Sequence, residues 1–185
     1  MGHSVFSEEF CLDFASTLEW RHTRRVDAFR SAADLAPWFY SNGVRLQLEP
    51  LGEAALANAH ELRDAIHHLG LNSVHGKHFD VDDVATVNRC ALPAPLAITL
   101  DSGGTMRYSG DFPALLSSIA RAAIELLAGP HRELIRQCAE PECTRLFLDH
   151  SRAGARRWCG TACGNKVKAA AYRERKRSKK PSRAN

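Results

Sequence analysis

The chain has 185 residues, 44% of them hydrophobic, and a formal net charge of +4. That is room for one medium domain and a small one, with a true core over most of the length. No apolar run approaches the roughly 18 residues of a membrane helix, and Met1-Gly2-His3-Ser4 followed by Glu8-Glu9 is unlike a signal peptide, so a cytoplasmic protein with reduced thiols is expected, with no membrane partner.

Phe10, Phe14 and Leu18 recur at helical spacing and predict a first helix from Phe10 to Trp20. Ser31 and Asp34 resemble a capping box that opens a helix through Trp38 and Phe39, ended by Gly43. The longest helix is expected over Leu51 to Leu71, with Leu51, Ala55, Leu62, Ile66 and Leu69 near one face and Gly70 at its end. Its His60, His67 and His68 share a face and read as ordinary surface histidines. Asp80 caps a shorter helix through Val84 and Val87 that Pro93 breaks. Leu96–Leu100, the turn Asp101-Ser102-Gly103-Gly104 and Thr105–Tyr108 predict a β-hairpin. Asp111 opens another helix, with Pro113 in its first turn, running to Leu126 and Leu127. After Gly129-Pro130 a short helix is expected to carry Leu134 and Ile135 into Cys138. The expected fold is mainly α (α+β): a helical N-terminal domain with one β-hairpin over residues 1–130, a small four-cysteine zinc-finger module with a basic C-terminal helix over 131–178, and a disordered basic tail over 179–185.

Charge divides along the same line. Residues 1–150 carry thirteen Lys/Arg and twenty acids, a net of −7; residues 151–185 carry twelve Lys/Arg and one acid, Glu174, a net of +11. An acidic body with a basic arm is the pattern of a regulatory domain joined to an anion-binding segment. At the root of the arm lie two cysteine pairs. Cys138 and Cys143 are separated by four residues, Cys159 and Cys163 by three, with fifteen residues between the pairs. Two thiolates from one short loop cost little chain entropy to gather, and two such pairs complete the tetrahedron that zinc prefers. One structural Zn2+ is the expected cofactor; an iron–sulfur cluster, or reduced thiols with no metal, are the alternatives. Cys11 and Cys90 stand apart and read as core thiols.

Around these pairs, Phe147-Leu148-Asp149, Ser151, Arg156-Arg157-Trp158-Cys159 and Cys163-Gly164-Asn165-Lys166 with Lys168 resemble the CGNR zinc finger, with Cys138 and Cys143 at its first ligand pair. The arginine of the family's name is Lys166 here, which keeps the charge but not the bidentate fork. The preceding body resembles the ABATE domain of bacterial proteins described as stress-induced transcription regulators, through Leu12, Asp13, Phe14, Thr17, Arg24, Leu35, Trp38, Leu62, Arg63 and the helix ending in Leu126-Leu127. Where that family often has Asn before the threonine, this chain has Ser16. The resemblance implies DNA-binding transcriptional regulation.

Thr161 to about Ser178 is a good helix former, with Ala169, Ala170 and Ala171 at its centre. Lys168, Tyr172, Arg175 and Lys179 fall on one face, and Lys166, Arg173 and Arg177 on a neighbouring one. Such a helix fits the major groove of double-stranded DNA, and Arg156, Arg157, Asn165, Lys166, Lys168, Tyr172, Arg173, Arg175, Lys176 and Arg177 are the candidate contacts. Asn165 suits adenine and Arg173 guanine. Binding without sequence preference is the alternative; a single Tyr172 for stacking argues against single-stranded RNA.

In the body, Asp13, Thr17, Arg21 and Arg24, with Glu19, His22 and Arg25 beside them, are candidates for a pocket holding a small polar or anionic ligand; a solvated helix end is the alternative. Leftover apolar surface on the long helices would pair two copies in a homodimer. No Ser/His/Asp grouping, phosphate loop or His-Glu-x-x-His motif occurs, and four cysteines close the coordination a catalytic zinc keeps open, so no enzyme is expected. A redox sensor that expels zinc on thiolate oxidation is the remaining alternative.

Overall fold

The computed structural model describes residues 6–48 and 50–178. The expected tail over 179–185 and the residues before Phe6 lie outside them.

Four helices make the body: α1 (Glu8–Ala15), α3 (Glu53–Val74), α4 (Val81–Ala91) and α5 (Phe112–Ala128) pack on one another, with α2 (Leu35–Ser41) across one end. Local chemistry sets their starts. Ser7, Asp80 and Asp111 each accept backbone N–H bonds of the first turn, and Pro113 occupies a position whose missing N–H costs nothing. The Asp34 carboxylate accepts from the Ser31 N–H at 2.8 Å, closing the short 3-10 turn Ala32–Asp34 ahead of α2. α2 stops at Gly43, whose φ of 88° is in the left-handed region.

α5 is the axis of the core. Leu115, Ile119, Ala123 and Leu126 are buried along one face, and each large apolar side chain so buried contributes about 1.5–3 kcal/mol. At the other end, Phe14, Phe29, Trp38 and Phe39 form an aromatic cluster with ring centroids 5.0–6.3 Å apart.

The fold is mainly α, as expected, but with three two-stranded antiparallel ladders rather than one. The foreseen hairpin is β3 (Ala97–Leu100) with β4 (Met106–Ser109), paired Ile98 to Tyr108 and Leu100 to Met106. The helix expected over Phe10–Trp20 ends at Ala15 instead. Leu18-Glu19 forms β1 and pairs with β2 (Val26–Asp27), because Ser16 and Thr17 turn their hydroxyls back onto the carbonyls of Leu12 and Phe14 and close the helix there. Gly70 does not end α3, which runs one turn further. A Cβ at Gly70 would lie 2.6 Å from Leu146 Cδ1, so the glycine serves close packing. Ile135 belongs to strand β5 (Ile135–Gln137), not a helix. β5 pairs with β6 (Leu146–Leu148), and only the 3-10 turn Pro130–Leu134 precedes it.

The third ladder is where body and finger meet. Ile135, Leu146 and Leu148 are buried in the same cluster as α1, α3 and α5. A hairpin of three-residue strands cannot bury a core alone, so it borrows the body's. Cys11 and Cys90 are buried, as expected. Among the large exposed apolar side chains, Ile98, Leu100 and Met106 lie on the β3–β4 hairpin, Val81 opens α4 and Leu92 follows it; among the described residues none lies on α3 or α5. No helix of the described residues is long and apolar enough to cross a membrane.

One polar network crosses the core's edge. Arg63 is only 2% exposed; its guanidinium reaches Asp27 at 2.7 Å and Asp64 at 3.2 Å, and Arg21 reaches Asp64 at 2.7 Å. It ties β2 and the chain after β1 to α3. Arg63→Met keeps the apolar stem but leaves the Asp27 carboxylate without a guanidinium and Asp64 with Arg21 alone. A loss of about 2 kcal/mol is expected, read as a lower urea midpoint at unchanged slope. An unchanged midpoint would show that solvent screens the network.

Candidate metal centre and nucleic-acid interface

The β5–β6 hairpin carries the first cysteine pair in its connection. Cys138 follows β5, and its N–H donates to the Arg145 carbonyl at 3.0 Å; Cys143 closes a turn onto the Glu140 carbonyl. The second pair stands at the root of α6 (Thr161–Ser178), with Cys159 just before it and Cys163 in its first turn. The Ala139 N–H donates to the Arg157 carbonyl at 2.8 Å, holding the two loops side by side. The four sulfurs lie within 4.8 Å of one another, with 3.8 Å from Cys143 to Cys159 and 3.6 Å from Cys159 to Cys163. Four thiolates at the Zn–S distance of a tetrahedral site sit about 3.8 Å apart, so the residues fit one structural zinc.

The thiols' own chemistry agrees. A hydrogen bond from Cys159 pulls the Cys143 thiol down, while the same contact, with burial, pushes Cys159 up. Burial lifts Cys163 to about 11. Crowded thiols ionise once with ease and then resist; a dication removes that resistance. Phe147 and Trp158 cover the cysteines, and the Trp158 ring lies over Gly164.

Several candidate DNA contacts are engaged within the finger. Arg156 donates to the carbonyls of Trp158 and Cys159 and stacks 4.5 Å over Phe147. The Lys166 ammonium lies 2.8 Å from Glu140 and 2.6 Å from Glu142, both in the first cysteine loop. Those hydrogen bonds, Glu140's foremost, raise the Lys166 pKa and lower that of Glu142. The residue in place of the family's arginine thus clamps the start of α6 to the first cysteine loop. Arg157, Asn165, Lys168, Tyr172, Arg173, Arg175, Lys176 and Arg177 are exposed, and none of them forms an ion pair among the described residues.

The body candidates separate. Asp13 and Thr17 line a cavity of about 360 Å³ with Ser16, Glu19, Trp38 and Arg145. Arg21 is tied to Asp64 and the Ala15 carbonyl, and Arg24 stacks 3.8 Å over Trp20; neither lines the cavity.

Two side-chain roles in this region were not foreseen from the sequence. Arg145 leaves the finger for the body, reaching Asp13 at 3.0 Å and Glu19 at 3.5 Å. Asp149, buried, accepts the N–H groups of Ser151 and Arg156 and shapes the loop between the cysteine pairs; hydrogen bonds, Ser151's foremost, hold its carboxyl below the usual range. The acids at Glu140 and Glu142 opposite a lone lysine were the one available signal for the Lys166 clamp. His67 is a correction: it is 3% exposed and not on the surface, its Nε2 lying 2.9 Å from the Thr144 carbonyl, an acceptor that makes it the donor. Helical periodicity places His67 on a face; it does not show that another module covers that face.

Comparison with protein families agrees with this division. Residues 8–130 match the ABATE family, described as "Putative stress-induced transcription regulator", and residues 135–176 match the CGNR zinc finger. No curated protein matches the chain.

His67 gives a pH test of the dock between body and finger. Burial, with Arg21 nearby, lowers its pKa to about 4 from 6.5. The folded pKa lies below the unfolded one, so the neutral ring's contribution is complete above about pH 6.5 and is lost as the pH falls toward 4. His67→Gln keeps a donor for Thr144 without titrating. The wild type is expected to lose about 3 kcal/mol more than the variant between pH 7 and 4, measured by denaturant melts in which zinc loss is common to both. Parallel pH profiles would show that His67 titrates as an exposed ring.

Proposed function

Since the chain belongs to the ABATE family and carries a CGNR finger, we propose that it is a DNA-binding transcription regulator in which zinc fixes the root of a reading helix. The observation that carries this is α6. Its 18 residues span about 27 Å and hold six Lys/Arg against one acid. From Lys168 to Ser178 every residue is exposed. Arg173 and Arg177 are one turn apart, and Arg175, Lys176 and Arg177 crowd the last turn, where like charges repel. A polyanion relieves that repulsion. The major groove of B-DNA, about 12 Å wide, admits a single helix, and phosphates on both sides would meet the basic side chains.

Roles divide accordingly. Arg156 and Lys166 hold the finger in shape. Arg173, Arg175, Lys176 and Arg177 contact DNA, and Asn165, Arg157 and Lys168 meet it nearest the zinc. The ABATE body is the input: its cavity at Asp13 and Thr17 takes a small polar ligand, or the body pairs two copies so that two α6 helices address two half-sites. Such a regulator works at the nucleoid, in the cytoplasm.

Titration of duplex DNA with zinc-loaded protein at increasing salt tests the reading. About six phosphate contacts give a slope of log K against log salt near −5. Replacing Arg173, Arg175, Lys176 and Arg177 together by Ala should flatten it to about −2 and weaken binding at low salt by orders of magnitude. No binding at 50 mM salt, or a slope the fourfold variant leaves unchanged, would remove α6 from the role. Selection of bound fragments from a genome then separates a shared motif from binding without preference.

A further inference from the structure

We propose that the cavity between the end of α1 and Arg145 binds a small organic cation, an amine or guanidinium compound, whose arrival displaces Arg145 from the body. The proposal deepens the reading of the body as the regulator's input and rests on it.

The lining is rich in acceptors and poor in donors. The Ser16 Oγ donates to the Leu12 carbonyl and the Thr17 Oγ1 to the Phe14 carbonyl, each at 2.8 Å. The Asn42 Nδ2 donates to the Trp38 carbonyl at 2.8 Å. With these hydrogens spent, all three side chains still have free lone pairs and can accept hydrogen bonds. Ser16 and Thr17 are 6% and 5% exposed, so the fold fixes their hydroxyls, while the Asp13 and Glu19 side chains, 56% and 32% exposed, face solvent. The lining's two carboxylates, Asp13 and Glu19, face one guanidinium, Arg145, and leave a net charge of −1. An anion entering would meet carboxylates and lone pairs. A cation would find partners for its N–H groups and, in Trp38, an aromatic wall that favours positive charge.

Arg145 already shows what the site accepts. It is the chain's own cation in the cavity, held to Asp13 at 3.0 Å and to Glu19 at 3.5 Å by a side chain that is 37% exposed, so solvent weakens both contacts. Arg145 lies two residues beyond the zinc ligand Cys143 and directly before β6. A ligand that takes its carboxylates frees it, leaving the finger docked through Thr144, which receives the Arg21 N–H and faces His67, and through Leu146 on Gly70. Occupancy of the cavity therefore changes how firmly the root of α6 is held to the body.

Calorimetric titration of the zinc-loaded full chain with agmatine and putrescine, and with succinate as the anionic probe, is the test. At least one of the two cations is expected to bind with Kd below about 1 mM and succinate not to. Glu19→Gln, which keeps a hydrogen-bond acceptor and drops the charge, should weaken that cation about tenfold. Arg145→Gln, which removes the internal competitor, should tighten it by a similar factor; if that variant loses zinc, Glu19→Gln alone decides. Uptake of succinate abolished by Arg145→Gln, no uptake of any cation, or cation binding indifferent to Glu19→Gln would overturn the proposal. The same preparation is titrated with DNA: DNA binding without cation uptake sinks this inference alone, and cation uptake without DNA binding sinks the regulator reading alone. Cation binding that leaves DNA affinity unchanged overturns the displacement of Arg145 as a signal.

Discussion

Four thiols held within 4.8 Å of one another are a constraint the rest of the C-terminal third obeys. Such a cluster is unfavourable as charged thiolates and poorly packed as neutral thiols, and one zinc ion resolves both. Around it the finger has little else of its own: Phe147 and Trp158 are the only large apolar side chains packed with the cysteines among the described residues. The hydrogen bonds that position the cysteine loops, from Ala139 to Arg157 and from Lys166 to Glu140 and Glu142, join the first pair to the second.

What the finger lacks in core it takes from the body. Ile135, Leu146 and Leu148 complete a cluster made by α1, α3 and α5, and Gly70 leaves the space that Leu146 fills. His67, Thr144, Arg145 and Asp13 add polar contacts across the same seam. The two matched families thus meet through a shared core. Side chains in direct contact thus join the body near α1 to the zinc loop.

Much of this was legible in the residues. α6 spans Thr161–Ser178 as its composition foretold, and Asp80, Asp111 and Gly43 mark helix ends as capping chemistry requires. Two of the misreadings share a cause. Gly70 looks like a helix terminator and His67 like a surface residue only while the hairpin that covers them is unknown. Leu18 continues the apolar spacing of α1, yet the hydroxyls of Ser16 and Thr17 end the helix first. Arg145 and the Lys166 clamp depend on residues distant in sequence, and neither periodicity nor local propensity reports on such pairs.

If zinc fixes the root of α6 while the body alone holds the β5–β6 hairpin, the two respond differently to loss of the metal. Hydrogen exchange on zinc-loaded and chelator-treated protein measures this directly. On zinc removal the amides of residues 138–143 and 157–166 are expected to lose protection while β5, β6, α3 and α5 keep theirs. Loss of protection throughout α3 and α5, or no change around the cysteines, would contradict it.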